Sequence, residues 1–180
     1  MTIHEQHNAL LTVEVLITIR PATRADLAGL EWFGRYSHYR RIFRRTYEEQ
    51  KRGRRLMLIA TANNIPIGQI FIQFESTQRR IADGHSRAYL YSLRVMEMLQ
   101  GRGIGTRLIL EAESLLFARN FAWAIIGVAL ENTRARSLYE RLGYRVFTSD
   151  PGEWRYKDEK GAIQTVIQPS WILEKSLDVR

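Results

Sequence analysis

The sequence predicts one mixed α/β domain, and three observations carry that expectation. Apolar, β-branched runs alternate with stretches of helical periodicity along the 180 residues. The run Ala122–Leu130 (AWAIIGVAL) is apolar almost without interruption, as a strand covered on both faces requires. A glycine-rich turn, Gln100-Gly-Arg-Gly-Ile-Gly105, leads from a strand directly into a helix, the connection expected where helices pack on a sheet. A chain of this length builds one substantial core. We expect an N-terminal extension over 1–13 and a single domain over 14–180.

Glu14–Arg20 (EVLITIR) is β-branched and apolar, hence a strand, and Pro21 ends it. Thr23 to Asp26 has capping-box form, so a helix is expected to start here and run through Leu27 and Leu30 into the arginine-rich stretch beyond. In that stretch Tyr36, Tyr39, Phe43 and Tyr47 recur at helical steps and form an apolar face. Arg55–Ala62 and Ile65–Glu75 read as strands joined by an Asn63-Asn64 turn. Gln78–Arg87 is a polar loop, and Ala88–Met96 is the next strand. Ile104, Leu108, Ala112 and Leu115 trace a helical stripe from the glycine turn towards Arg119. After the buried strand, Asn132 caps a short helix with Ala135, Leu138, Tyr139 and Leu142 on one side, and Gly143 suits its left-handed end. Tyr144–Ser149 and Gln164–Leu173 are the last strands, separated by a polar connection, Asp150–Gly161. Pro169 places the final strand at an edge or a bulge.

Composition removes several function classes. There is no cysteine, which excludes disulfides, thiolate metal sites and a cysteine nucleophile. No metal site is expected. Met1–Asn8 lacks a basic leader, and the apolar stretch Leu10–Ile19 contains Glu14 and is too short to span a bilayer. The expectation is a cytoplasmic protein with no membrane partner. The net charge of +8 is local: Arg35–Arg55 holds nine basic residues against two acidic ones. Such a patch is either a solvated face or a recognition surface for an anion. Without single-strand or RNA-binding signatures, nucleic acid is not expected as the main partner.

The glycine turn is the chemical centre. Alternate glycines leave backbone amides unobstructed, and a helix start adds orphan N–H donors and a positive dipole end, a combination suited to a pyrophosphate. A dinucleotide fingerprint would need a third glycine where Thr106 stands, and no Walker Gly-Lys-Ser/Thr occurs. Glu131, at the end of the next strand, keeps the dinucleotide alternative open at this point.

Gln100-Gly-Arg-Gly103-Ile-Gly105 resembles the Q/R-x-x-G-x-G/A signature of the GNAT superfamily of acyl-CoA N-acyltransferases. Glu131-Asn132-Thr-Arg-Ala135-Arg-Ser-Leu138-Tyr139-Glu-Arg-Leu-Gly143-Tyr144 is similar to that superfamily's second block, N-x-x-A-x-x-x-Y-x-x-x-G-F/Y. One helix and one buried strand separate the two, and the element order from Glu14 to Leu173 matches.

The resemblance implies a GNAT-like three-layer fold in which a central mixed sheet with a splayed strand pair, here Ala88–Met96 and Ala122–Leu130, is flanked by helices. It implies an N-acetyltransferase that uses acetyl-CoA as co-substrate. Amides of Gln100, Gly101, Arg102, Gly103, Ile104, Gly105 and Thr106 would hold the pyrophosphate, with Arg102 adding charge. Main-chain groups of Arg94 and Val95 would meet the pantetheine arm, the Val95 amide would face the oxyanion, and Asn132 and Ala135 would line the slot. Tyr139 matches the tyrosine that protonates the departing thiolate.

Many members carry a carboxylate on the strand before the glycine turn, where this chain has Tyr91-Ser-Leu-Arg94; Glu97, Glu75 and His85 are the nearest candidates and none is assigned as base. Without cysteine, the expected route is direct attack by a primary amine in a ternary complex. The amine could be a protein N-terminus, a lysine or a small molecule, and Arg35–Arg55 would favour an anionic acceptor. A non-catalytic coenzyme-A-binding regulatory domain is the alternative, and monomer and homodimer both stay open.

Overall fold

The structure is a computed structural model that describes residues 14–177; the expected extension 1–13 lies outside the described residues. Nine strands and three α-helices follow one another: β1 (Ile17–Pro21), α1 (Arg40–Lys51), β2 (Arg55–Ala62), β3 (Ile65–Gln73), β4 (Arg87–Val95), α2 (Ile104–Ala118), β5 (Trp123–Ala129), α3 (Thr133–Arg141), β6 (Arg145–Asp150), β7 (Glu153–Lys157), β8 (Ile163–Ile167) and β9 (Ser170–Ser176). Seven strands form one sheet in the order β1-β2-β3-β4-β5-β9-β6, and β7 and β8 form a separate two-stranded sheet. All pairings are antiparallel except β4 with β5. That parallel pair is the one joined through a helix, α2, as a parallel crossover requires.

Period-two alternation sends the sheet's side chains into two cores. Leu58, Ile70, Ile72, Leu90 and Ile126 pack against Leu108, Ala112, Leu116 and Tyr139 on the α2–α3 face. Met57, Ile59 and Phe71 meet Leu30 and Phe43 on the α1 face. The sheet is thus the middle of three layers, which is the expected architecture.

Two expectations about the segments bordering the α1 face are corrected. No helix runs from Leu27 into the arginine stretch. Short 3-10 turns at Arg24–Asp26, Gly29–Glu31 and Ser37–Tyr39 precede α1, which starts only at Arg40. Trp32, Phe33 and Gly34 have φ of 41°, 58° and 88°, so the chain reverses there through three left-handed residues. The reversal buries Leu30 and Trp32 and sets Trp32 edge-on to Tyr36 at 5.4 Å. A bidentate pair, Arg40 to Glu31 with both contacts at 2.6 Å, ties its two sides together. Tertiary burial here outweighs helical periodicity.

The second correction concerns the polar connection and the last strand. Asp150–Gly161 contains β7, and the expected strand Gln164–Leu173 is two strands: β8 pairs with β7, whereas β9 enters the main sheet between β5 and β6. Pro169 therefore sits at the corner between them and not at an edge or bulge of one strand. Its missing N–H ends the β8 ladder, and Gly152, at φ 71°, packs against Gln168 so closely that no side chain fits.

Candidate active site

β4 and β5 pair only from Arg87↔Trp123 to Leu90↔Ile126. Beyond Leu90, Ser92 takes φ 57° and the β3–β4 register shifts between Gln69 and Phe71, a bulge that re-aims β4. Gln69, buried to 1 % exposure, stabilises the bulge by donating its amide to the Ser92 carbonyl and hydroxyl, each at 3.2 Å. β5 meanwhile stays paired with β9 through Ala129↔Ser170. A gap therefore opens between the ends of the two parallel strands, where the splayed pair was expected.

The glycine turn stands at the end of β4. Gly101 and Gly103 have φ of 76° and 80°, and Gly103 is the N-cap of α2. The first bond of the helix runs from the Arg107 N–H to the Gly103 carbonyl at 3.0 Å, so the amides from Gly101 to Thr106 precede the ladder. Nothing lies within 4 Å of a Cβ placed on Gly103. This is an open cradle of N–H donors at a helix start, and it fits an anionic diphosphate. Arg102 and, from α3, Arg134 supply charge; the Arg134 guanidinium would stand 3.9 Å from a Cβ on Gly101. Arg134 was not singled out from the sequence, although it lies inside the Asn132–Gly143 block.

Gln100 donates its side-chain amide to the Val95 carbonyl at 3.1 Å, tying the turn to the strand end. The Met96 N–H bonds the Ile67 carbonyl at 2.8 Å on the β3 side, so alternation turns the main-chain groups of Val95 towards the gap. The same alternation turns those of Arg94 towards β3, and its side chain goes to the α1 face, against Tyr36 and Tyr39. Gly105 lies beside Val95, and Ile104 packs into the core. Asn132 accepts from the Ala135 N–H at 3.1 Å, capping α3, and Ala135 packs against the same core.

Tyr139 projects from α3 into the sheet and is 5 % exposed, with its ring 6.1 Å from Tyr144. Burial, reinforced by the nearby Tyr89, pushes its hydroxyl up to about 12, so it stays protonated across neutral pH. Tyr89 comes from the opposite face. A methyl on Gly127 would stand 2.5 Å from the Tyr89 hydroxyl, so Gly127 is what lets this ring cross the end of the gap. Burial, with smaller contributions from Asp150 and Tyr91, pushes Tyr89 up to about 12 as well. Two protonated phenols thus approach the strand gap from the two sides of the sheet.

On the α1 face the gap opens into a cleft of about 1100 Å³, walled by α1, β4 and the β7–β8 hairpin. Its carboxylates are Glu49, Asp150 and Glu153. The three candidates considered from the sequence as bases lie elsewhere: Glu97 is exposed and pairs with Arg35 at 2.8 Å, Glu75 is exposed beside Arg79, and His85 is exposed. Tyr89 and Asp150 were legible only in part, because alternation in Tyr89-Leu-Tyr91 marks one sheet face but not what it faces. Among the described residues no group of three His, Asp or Glu side chains is placed to hold a metal ion, and no helix is long and apolar enough to cross a membrane.

Residues 24–144 match the model of the Acetyltransferase (GNAT) family. Solved structures repeat the fold over nearly the whole chain. The Escherichia coli ribosomal-protein-S18-alanine N-acetyltransferase is 19 % identical, with a TM-score of 0.66 over 92 % of this chain and 96 % of that one. Salmonella typhimurium yncA, a putative acetyltransferase solved with its cofactor acetyl-CoA, is 16 % identical, with a TM-score of 0.69 over 92 % and 96 %. Arabidopsis thaliana NAA60 in complex with acetyl-CoA is 19 % identical, with a TM-score of 0.67 over 89 % and 98 %.

Proposed function

The chain belongs to the GNAT acetyltransferase family, and from that premise we propose that it transfers an acetyl group from acetyl-CoA to a primary amine by direct attack in a ternary complex. The observation that carries this reading is the convergence of three features on one gap: the amide cradle at 101–106, the divergence of β4 from β5, and the protonated Tyr139. Acetyl-CoA, when bound, supplies the thioester carbonyl.

The cradle and the guanidinium groups of Arg102 and Arg134 would hold the diphosphate. The main-chain groups of Val95, which face away from β3, would meet the pantetheine arm, and its N–H would be available to a developing negative charge on the thioester oxygen. An acceptor reaches the gap through the α1-face cleft. Its ammonium must lose a proton before attack, and we assign that proton to Asp150, the cleft carboxylate whose charge the Tyr89 hydroxyl feels. As the new C–N bond forms and the C–S bond breaks, the attached nitrogen would shed its second proton to water, and Tyr139 would give its hydroxyl proton to the departing sulfur and recover one from solvent. The Tyr139 environment favours this role: its high proton affinity keeps the donor loaded at neutral pH.

Release of free thiol from acetyl-CoA over a panel of amines, with the acetylated product identified by mass, tests the reading. Thiol release that depends on an amine supports it. A protein that binds acetyl-CoA yet releases no thiol with any acceptor is a coenzyme-A-binding domain instead.

A further inference from the structure

We propose that the amine acceptor is a small molecule carrying an anionic oxygen group, a carboxylate or a phosphate ester, and that the guanidinium of Arg94 is the anchor for that group. The inference rests on the acetyltransferase reading and names the substrate class of the same site.

Arg94 leaves β4 on the α1 face and its guanidinium carbon lies 4.6 Å from the ring centroids of both Tyr36 and Tyr39, which are stacked 6.2 Å apart. Its Nη1 is buried and has no hydrogen-bond partner among the described residues. Among the described residues no carboxylate lies within 4.0 Å of it, whereas Arg20, Arg35, Arg40, Arg55 and Arg87 are each paired with one. A guanidinium cannot shed its proton, and leaving a half-buried one without a counter-ion is costly. Burial depresses its proton affinity, and the Tyr39 hydroxyl, which accepts from it, offsets only part of that. The Tyr36 and Tyr39 ring faces compensate in part and hold the guanidinium beside the cleft, with its Nη1 still lacking an acceptor among the described residues. Arg94 lines the cleft next to Ser92, beside the strand gap, so an anion held there places the rest of a small acceptor at the reacting carbonyl.

The surrounding charge favours the same class. Two of the three cleft carboxylates are neutralised by arginines, Glu49 by Arg45 and Arg55 and Glu153 by Arg155. Asp150 accepts from the Gly152 amide at 2.7 Å and has Arg80 at 3.6 Å, which leaves it able to take a proton but adds to the positive surroundings. Arg41, Arg44 and Lys157 line the cleft without a carboxylate partner within 4.0 Å among the described residues. A polycationic amine would meet an unbalanced positive field there. Access is also bounded. Tyr156 of β7 packs edge-on against Tyr39 at 5.3 Å, Trp154 stacks on Tyr156, and Arg41 lies against Gly161, so the hairpin leans on the start of α1 and closes one side of the cleft.

The experiment is thiol release by the full chain with matched acceptors: a set of α-amino acids against their decarboxylated amines, and phosphoethanolamine against ethanolamine. The same anionic compounds are then tested for thermal stabilisation of the coenzyme-A-saturated protein. We expect kcat/KM about tenfold or more higher for the anionic member in one arm, which identifies the group as carboxylate or phosphate. In Arg94→Gln that preference should fall towards parity, and in Arg94→Lys it should recover in part. Equal or better turnover of the uncharged members, or a preference unchanged in Arg94→Gln, overturns the inference while leaving the acetyltransferase reading intact. Neither turnover nor stabilisation by any anionic member, with acetyl-CoA still raising the melting temperature, overturns it as well. Failure of acetyl-CoA itself to stabilise the protein would instead overturn the acetyltransferase reading.

Discussion

The two faces of the β4–β5 gap are built from different materials. On the side proposed to take the donor the available groups are backbone: the amides from Gly101 to Thr106, the strand end at Val95, and the positive end of α2. On the acceptor side they are side chains carried by segments distant in sequence, with Arg94 from β4, Tyr36 and Tyr39 from the 3-10 region, Asp150 from the end of β6 and Tyr156 from the hairpin. A backbone site tolerates few sequences, because only glycine reaches the φ of Gly101 and Gly103 without strain and leaves the amides uncovered. A side-chain site can be rebuilt freely on the same frame. On the function proposed here, the difference separates a donor site fixed by the fold from an acceptor site open to choice.

The sharpest way to break this contrast is Tyr139→Phe. If the hydroxyl protonates the leaving sulfur, kcat falls about a hundredfold or more while the KM for acetyl-CoA barely changes. Wild-type turnover in steady-state thiol assays would return Tyr139 to a purely packing role. Gly103→Val comes next. A β-branched residue at φ 80° is strained and stands in the cradle, so the KM for acetyl-CoA should rise about tenfold or more, with acceptor preference unaltered.

The frame beneath the acceptor side can be tested by acid. Asp26 is held to about 2, mainly by the Arg20 guanidinium, which bonds both carboxylate oxygens at 2.8 Å, and secondarily by Thr23. A depressed carboxyl pKa stabilises the fold above the unfolded value and loses that contribution as pH falls from about 4 to about 2. Asp26→Asn should therefore cost about 2 kcal/mol at neutral pH and flatten the acid limb of the stability profile, measured by urea unfolding. The smallest effect is expected of Tyr156→Ala, which removes the edge contact on Tyr39; acceptor KM should rise about threefold, with acetyl-CoA KM constant.

The same contrast explains what the sequence disclosed. The strand gap was implied only by the family resemblance, whereas the sheet and the glycine turn were legible because each rests on a local constraint: the apolar run of β5, the glycines at 101 and 103, and the Asn132 cap with its Ala135 bond. The acceptor wall was not. Leu27, Leu30 and the aromatics at 36, 39, 43 and 47 have helical spacing, yet burial of Trp32 beside Tyr36 breaks the helix into turns before Arg40. Polar residues over 150–161 conceal a strand because β7 needs only β8 as a partner and is exposed on its outer side. Arg94 reads as one more basic residue until the Tyr36 and Tyr39 rings are placed around it. The arginine-rich stretch Arg35–Arg55, read from the sequence as either a solvated face or an anion surface, divides in the structure: Arg35, Arg40, Arg45, Lys51 and Arg55 are each paired with a glutamate, while Arg41 and Arg44 line the cleft.

The most direct measurement is the melting temperature of the wild-type chain and of Gly103→Val with acetyl-CoA, with coenzyme A and with NAD. A donor site built on the 101–106 amides predicts a rise of several degrees for the wild type with the first two at saturating concentration, none with NAD, and a much smaller rise for Gly103→Val. No shift with acetyl-CoA, or an equal shift in the variant, would contradict the account.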